Sequence, residues 1–151
     1  MSDQPDLIKL YSGQILALAA DIPHLSRLEA PDATVKKRAP LCGSTVTVDL
    51  ELADEVITGY GQDVKACALG QAAASVVGGA ILGCTPDQVR AARDELKAML
   101  KNDGPVPNAP FDGLAVLQPA RDYKNRHASI MLTLEASVEA LDSIAAKSSC
   151  A

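Results

Sequence analysis

The chain has 151 residues and a formal charge of -5, a length at which one domain with its own hydrophobic core is expected. Apolar residues make up 48% of it, yet there is one Phe, three Tyr and no Trp, so the core must be aliphatic and alanine-rich. The acidic balance speaks against nonspecific binding to phosphate backbones, and no apolar run reaches the roughly 20 residues that span a bilayer.

Residues 6–20 set Leu7, Leu10, Tyr11, Ile15 and Leu18 at spacings that fit one helical face, with Asp3 as cap and Asp21-Ile22-Pro23 as stop. The start, Met1-Ser2-Asp3-Gln4-Pro5-Asp6, is acidic where a signal peptide is basic, so a cytoplasmic protein is expected. After a loop over 24–32, Ala33 to Arg38 reads as a first strand, its run Lys36-Lys37-Arg38 suited to a solvated edge. A Pro/Gly turn, Ala39-Pro40-Leu41-Cys42-Gly43-Ser44, follows. Thr45 to Leu52 alternates, with Val46, Val48, Leu50 and Leu52 on one face and Thr47, Asp49 and Glu51 on the other, which predicts a half-buried antiparallel strand. A turn at Ala53-Asp54-Glu55 leads into a third strand over 56–60, completing a meander.

Cys67 then sits at the junction between strand and helix, where the free N–H groups of a helix start favour a thiolate. The helix after it is built from small residues and ends near Gly83. Thr85-Pro86-Asp87-Gln88 opens another with a capping box, and Lys101-Asn102-Asp103-Gly104 stops it. Three prolines make 105–110 an extended loop, 111–117 reads as a short helix, and Pro119 restarts the chain. A last helix runs from about 126 to 146, before a fraying tail. There is no repeat and no second domain, so residues 1–151 form one unit.

Four cysteines, at 42, 67, 84 and 150, show no Cys-x-x-Cys pair and no zinc-finger spacing. Cys84 suits a small apolar gap and Cys150 an incidental tail position. Cys42 precedes strand two and Cys67 follows strand three, so a meander can bring both to one end of the sheet, where two thiolates could share a metal. His127 is the candidate third ligand, with a solvated helix-start imidazole as the equal alternative. His24 lies in a featureless loop. Arg121, Lys124 and Arg126 form a basic patch that reads first as solvated surface. No dinucleotide, P-loop or nucleophile-elbow motif is present.

Taken together, Ala39-Pro40-Leu41-Cys42-Gly43 and Cys67-Ala68-Leu69-Gly70-Gln71-Ala72-Ala73-Ala74-Ser75 resemble the iron–sulfur cluster assembly scaffolds of the IscU, SufU and NifU N-terminal type. Those proteins carry a motif like Asn-Pro-Leu-Cys-Gly-Asp and, after paired strands, one like Cys-Ala-Ile-Ser-x-Ala-Ser-Ala-Ser. The resemblance covers nearly the whole chain and implies an α+β fold, a three-stranded antiparallel sheet packed against several helices. It implies a non-enzymatic scaffold or carrier that receives sulfur and iron on Cys42 and Cys67 and hands on a transient [2Fe-2S] cluster, or holds zinc. Its implied partners are a cysteine desulfurase and recipient apo-proteins or carriers, with a homodimer open and neither nucleic acid nor membrane involved.

Two family ligand positions depart from the pattern. The motif Asp falls on Ser44, and the third cysteine on Ser129 or Ala128, depending on register. A neutral hydroxyl is a poor ligand for a soft metal. His127 could supplement the two thiolates, as His replaces Cys in Rieske centres. The competing expectations are a divergent zinc-binding or interaction module and, further off, a zinc-dependent sulfurtransferase.

Overall fold

The computed structural model describes residues 12–40 and 43–150. Helix α1, Gly13–Ala20, is capped by Ser12, whose side chain accepts from the Ile15 N–H, and buries Ile15; the expected earlier start and its Asp3 cap lie outside the described residues. Strands β1 (Ala33–Arg38), β2 (Thr45–Ala53) and β3 (Val56–Lys65) form an antiparallel sheet in the order β1-β2-β3. Thr45 pairs with both Arg38 and Lys65. The start of β2 therefore lies between the ends of its neighbours, and all three open onto the same end of the sheet.

The alternation in β2 has the expected outcome, since Val46, Val48 and Leu50 are buried. The β2–β3 connection is a two-residue turn, with Ala53 opposite Val56. Both turn residues, Asp54 (φ 54°) and Glu55 (φ 62°), have positive φ, the geometry whose twist matches a hairpin. The third strand extends five residues beyond the expected 56–60. Gly59 and Gly61 erase the alternation there, and the buried Gln62 stands on the core face, so the pattern breaks while the pairing continues.

Helix α2 (Ala68–Ala80) begins at Cys67 and ends before Gly83, which takes φ 87°. Helix α3 (Pro86–Lys101) has both halves of the capping box, Gln88 N–H to Thr85 Oγ1 and Thr85 N–H to Gln88 Oε1. The short helix expected over 111–117 is a 3-10 helix spanning Asp112–Asp122, with Pro119 inside it. The final helix, α4 (Lys124–Cys150), runs past its expected bounds at both ends. It is the centre of the molecule, packed against β1, β2, α2 and α3, with Ile130, Met131, Leu132, Leu134, Val138 and Leu141 buried. Cys84 fills its gap as expected: it is buried, its thiol donates to the Ala80 carbonyl, and burial pushes its pKa up.

The loop between α1 and β1 lies on the outer face of the sheet, over Asp49 and Gly61. Asp49, fully buried, accepts from Arg27 Nε (2.5 Å) and Nη2 (3.0 Å), the Leu28 N–H (3.0 Å) and Thr34 Oγ1 (2.6 Å). A Cβ on Gly61 would run into the Ser26 carbonyl oxygen, so the loop lies directly on β3. The Gln62 side-chain amide donates to the Pro23 and Ala74 carbonyls, tying β3, the loop and α2 together.

Candidate functional site

The three strand ends converge on Cys67. Extended backbone (φ -66°, ψ 170°) makes it the N-cap of α2, with no side-chain capping bond, and no acidic residue occupies the first turn of the helix. The thiol thus stands at a helix start whose partial positive charge a competing carboxylate does not offset. It is partly exposed and forms no disulfide.

Below it lies a chain of hydroxyls. Cys67 Sγ is 3.5 Å from Ser129 Oγ, and Ser129 Oγ donates to Ser44 Oγ at 3.1 Å. Both serines are buried, at 1% and 5% exposure. Ser44 leads into β2, and its carbonyl accepts from the Ala39 N–H at 2.8 Å; the Gly43 N–H bonds back to the Ala39 carbonyl, with Gly43 at φ 71°. These bonds close the loop that contains position 42. Cys42 itself lies outside the described residues.

Ser129, rather than the exposed Ala128, stands beside Cys67, and it meets Ser44 under the thiol. Gly70 makes this approach possible. A Cβ there would lie 2.6 Å from Ser129 Oγ, 2.9 Å from Ala66 Cβ and 3.2 Å from the Ser129 carbonyl oxygen. The signal for it in the sequence is a glycine one turn after the cysteine, at the spacing that faces the same way.

His127 goes elsewhere. Positions 127 and 129 are about 200° apart around a helix, so their side chains leave on nearly opposite sides. His127 Nε2 lies 3.0 and 3.1 Å from the carbonyl oxygens of Ala120 and Arg121. Two acceptors require Nε2 to carry the proton and donate, leaving Nδ1 as the lone-pair nitrogen; it is buried, with no hydrogen-bond partner among the described residues. Burial lowers the His127 pKa, the charges of Lys101 and Lys124 add to that, and the two carbonyls oppose it. The ring joins α4 to the 3-10 helix, and the solvated imidazole weighed as its alternative role does not fit a residue 2% exposed. Among the described residues no group of three or more His, Cys, Asp or Glu side chains forms a metal-ligand set. A neutral hydroxyl brings a soft metal neither charge nor strong donation, so among the described residues the thiol at this site is that of Cys67.

No protein-family profile matches the chain, and no curated protein does. Among solved structures, the crystal structure of a nitrogen-fixing NifU-like protein (N-terminal) from Brucella abortus is 42% identical, with a TM-score of 0.92 over 94% of this chain and 99% of that one. A putative iron–sulfur cluster assembly scaffold protein for the SUF system from the thermophile Fervidobacterium islandicum AW-1 shares the fold at 18% identity and a TM-score of 0.79, over 89% of this chain and 98% of that one. A protein described as hypothetical shares it at 17% identity and a TM-score of 0.75, with the same coverage.

Proposed function

Because the chain belongs to the NifU-like N-terminal family of iron–sulfur cluster assembly scaffolds, we propose that it is a scaffold or carrier that builds a [2Fe-2S] cluster on Cys67 and Cys42 and passes it on. The observation that supports this most is the position of Cys67: a partly exposed thiol at a helix start, where three strand ends converge. In this reading a cysteine desulfurase supplies sulfur, recipient apo-proteins or carriers take the cluster, and the work is done in the cytoplasm without catalytic turnover by the chain itself. Zinc is the alternative occupant of the same thiolates.

Two thiolates fill half of the four terminal positions of a [2Fe-2S] cluster. His127 leaves α4 on the side away from Ser129 and Cys67, and its Nε2–H donates to the Ala120 and Arg121 carbonyls, so its part in this proposal is the joining of α4 to the 3-10 helix. The remaining positions fall to a second copy of the chain or to a partner's groups. A site completed from outside holds its cluster loosely, which suits transfer. The mutual bond of Ser44 and Ser129 favours one second reading, an interaction module of the assembly machinery that holds zinc or no metal.

Anaerobic loading with ferric iron, inorganic sulfide and excess thiol separates them. The wild type is expected to gain the visible charge-transfer absorption of a [2Fe-2S] centre. Loss of an outer-sphere partner already costs about 10–100-fold in metal affinity, so Cys67→Ala is expected to lose more and to come through gel filtration colourless. A colourless wild type would leave the module reading.

A further inference from the structure

The end of α3, the end of the 3-10 helix and the start of α4 meet around a cavity of about 410 Å³, a size that suits a small molecule. Lys101 lines it from α3, Asp103 from the turn that follows, Arg121 and Asp122 from the 3-10 helix, and Lys124 and His127 from α4. Neither Cys67, Ser44 nor Ser129 belongs to its wall, so it is separate from the site already described.

The balance of charge around the cavity is positive. Arg121 is partly neutralised by Asp103 at 3.6 Å, whereas Lys101 and Lys124 have no ion-pair partner among the described residues. Both lysines act electrostatically on the His127 ring. Lys124 also opens α4, and the free N–H groups and partial positive charge of a helix start favour an anion. Exposed cations alone would describe a solvated surface, but His127 adds a buried polar demand. Its Nε2–H is spent on the Ala120 and Arg121 carbonyls, and Nδ1, on a residue 2% exposed, has no partner among the described residues. Buried polar atoms are rarely left unpaired. What this lone pair lacks is a donor, and an anion without a proton would set oxygen lone pairs against it.

We propose that the cavity binds a small oxyanion that keeps an O–H group, hydrogen phosphate or a hydroxycarboxylate. Its charged oxygens are held by Lys101, Lys124 and the start of α4, and its O–H donates to His127 Nδ1. A metal ion is the poorer occupant of that lone pair, because the two lysines repel it and no group of three His, Cys, Asp or Glu side chains among the described residues could hold it. The site goes beyond the cluster reading and does not depend on it.

The test titrates the full chain with phosphate and with sulfate at fixed ionic strength. The pH is kept above the ordinary His value of about 6.5, where the lowered pKa leaves His127 neutral. The two ions are alike in shape, but only phosphate keeps a proton. One readout is Tm, which rises with any ligand that binds the folded state. The other is the imidazole nitrogen resonance of His127, the histidine signal that survives in His24→Asn, since the chain has two histidines and Asn tolerates the φ of 59° at position 24. Phosphate is expected to raise Tm saturably, to shift Nδ1, and to bind about tenfold or more tighter than sulfate, because a site that pairs with an O–H rejects the analogue lacking it. Lys101→Gln/Lys124→Gln, at exposed positions, is expected to bind phosphate about tenfold more weakly or worse, and Asp103→Asn, which releases Arg121, more tightly. Malate and succinate, which differ by one hydroxyl, repeat the comparison, and the pair that shows the preference assigns the source of the anion. Equal responses within both pairs would overturn the proposal, since a water on Nδ1 would then suffice. So would phosphate affinity unchanged in the double variant, or a rise in Tm that leaves the Nδ1 resonance where it was.

Discussion

Asp49→Ala is expected to cost about 2–4 kcal/mol of stability, since it removes the acceptor of four hydrogen bonds, two of them from a guanidinium. In a domain of this size that lowers Tm by roughly 5–15 °C, readable by calorimetry or by circular dichroism. The loss is tempered because Arg27 is 56% exposed and regains water when its partner goes. What cannot resolvate in place is the seat of the loop on the outer face of the sheet. Proteolysis within residues 24–32 should therefore accelerate in the variant.

The same carboxylate gives a pH dependence of definite sign. Burial opposes the ionisation of Asp49, but the bonds from Arg27, Thr34 and the Leu28 N–H, together with the Arg27 charge, outweigh it and hold the pKa below the ordinary carboxylate value. A depressed folded value means stability that is fully present above the unfolded value of about 3.9 and is lost as pH falls through the folded one. His127, also depressed, works in the same direction, beginning as pH falls past its unfolded value of about 6.5. Stability is expected to decline in two stages on acidification, and Asp49→Asn should flatten the lower one.

The second large effect is at Gly70. Alanine there gains about 1 kcal/mol of helix propensity, but its Cβ meets Ala66 Cβ and the Ser129 carbonyl as well as the Ser129 hydroxyl. The hydroxyl can rotate away; the other two belong to backbone-fixed atoms, so the starts of α2 and α4 must separate. Overpacking of this kind costs about 1–3 kcal/mol, which leaves a net loss of up to about 2 kcal/mol against that propensity gain. The site is expected to suffer more than the fold. With Ser129 displaced from Cys67, iron retained after anaerobic loading should fall several-fold in a protein that still melts cooperatively. Gly79→Ala, where an added Cβ meets nothing within 4 Å, serves as the control and should load like the wild type.

The parts of the fold that were legible in the sequence are those in which one interaction dominates. Alternation over Val46, Val48 and Leu50 fixes the face of β2, and the Thr85/Gln88 pair fixes the start of α3. Asp49 shows where the pattern misleads. On β2 it alternates with the core residues and reads as solvent-facing, yet it is fully buried, because a loop with no periodicity of its own folds over that face. The third strand was cut short because its glycines and Gln62 answer to the loop and to α2 rather than to the pleat. At the site, Cys67 and the nearness of the two strand ends followed from the meander. The Ser129–Ser44 bond did not, since 85 residues separate the two positions and only the placement of α4 brings them together. The solvated imidazole weighed for His127 fails for the same reason: its helix position was clear, but the carbonyls that take its Nε2 proton belong to the end of the 3-10 helix, beyond the short helix expected over 111–117.

The central claim is that the site around Cys67 holds a cluster in order to release it. The direct test mixes the anaerobically loaded chain with an apo-ferredoxin and follows visible circular dichroism, in which the two cluster environments differ. The account predicts that the ferredoxin signal grows as the chain's own signal decays, with one cluster gained for each cluster lost, and that chain carried through the loading protocol as Cys67→Ala donates nothing. A cluster that stays on the chain in the presence of excess apo-ferredoxin would contradict it.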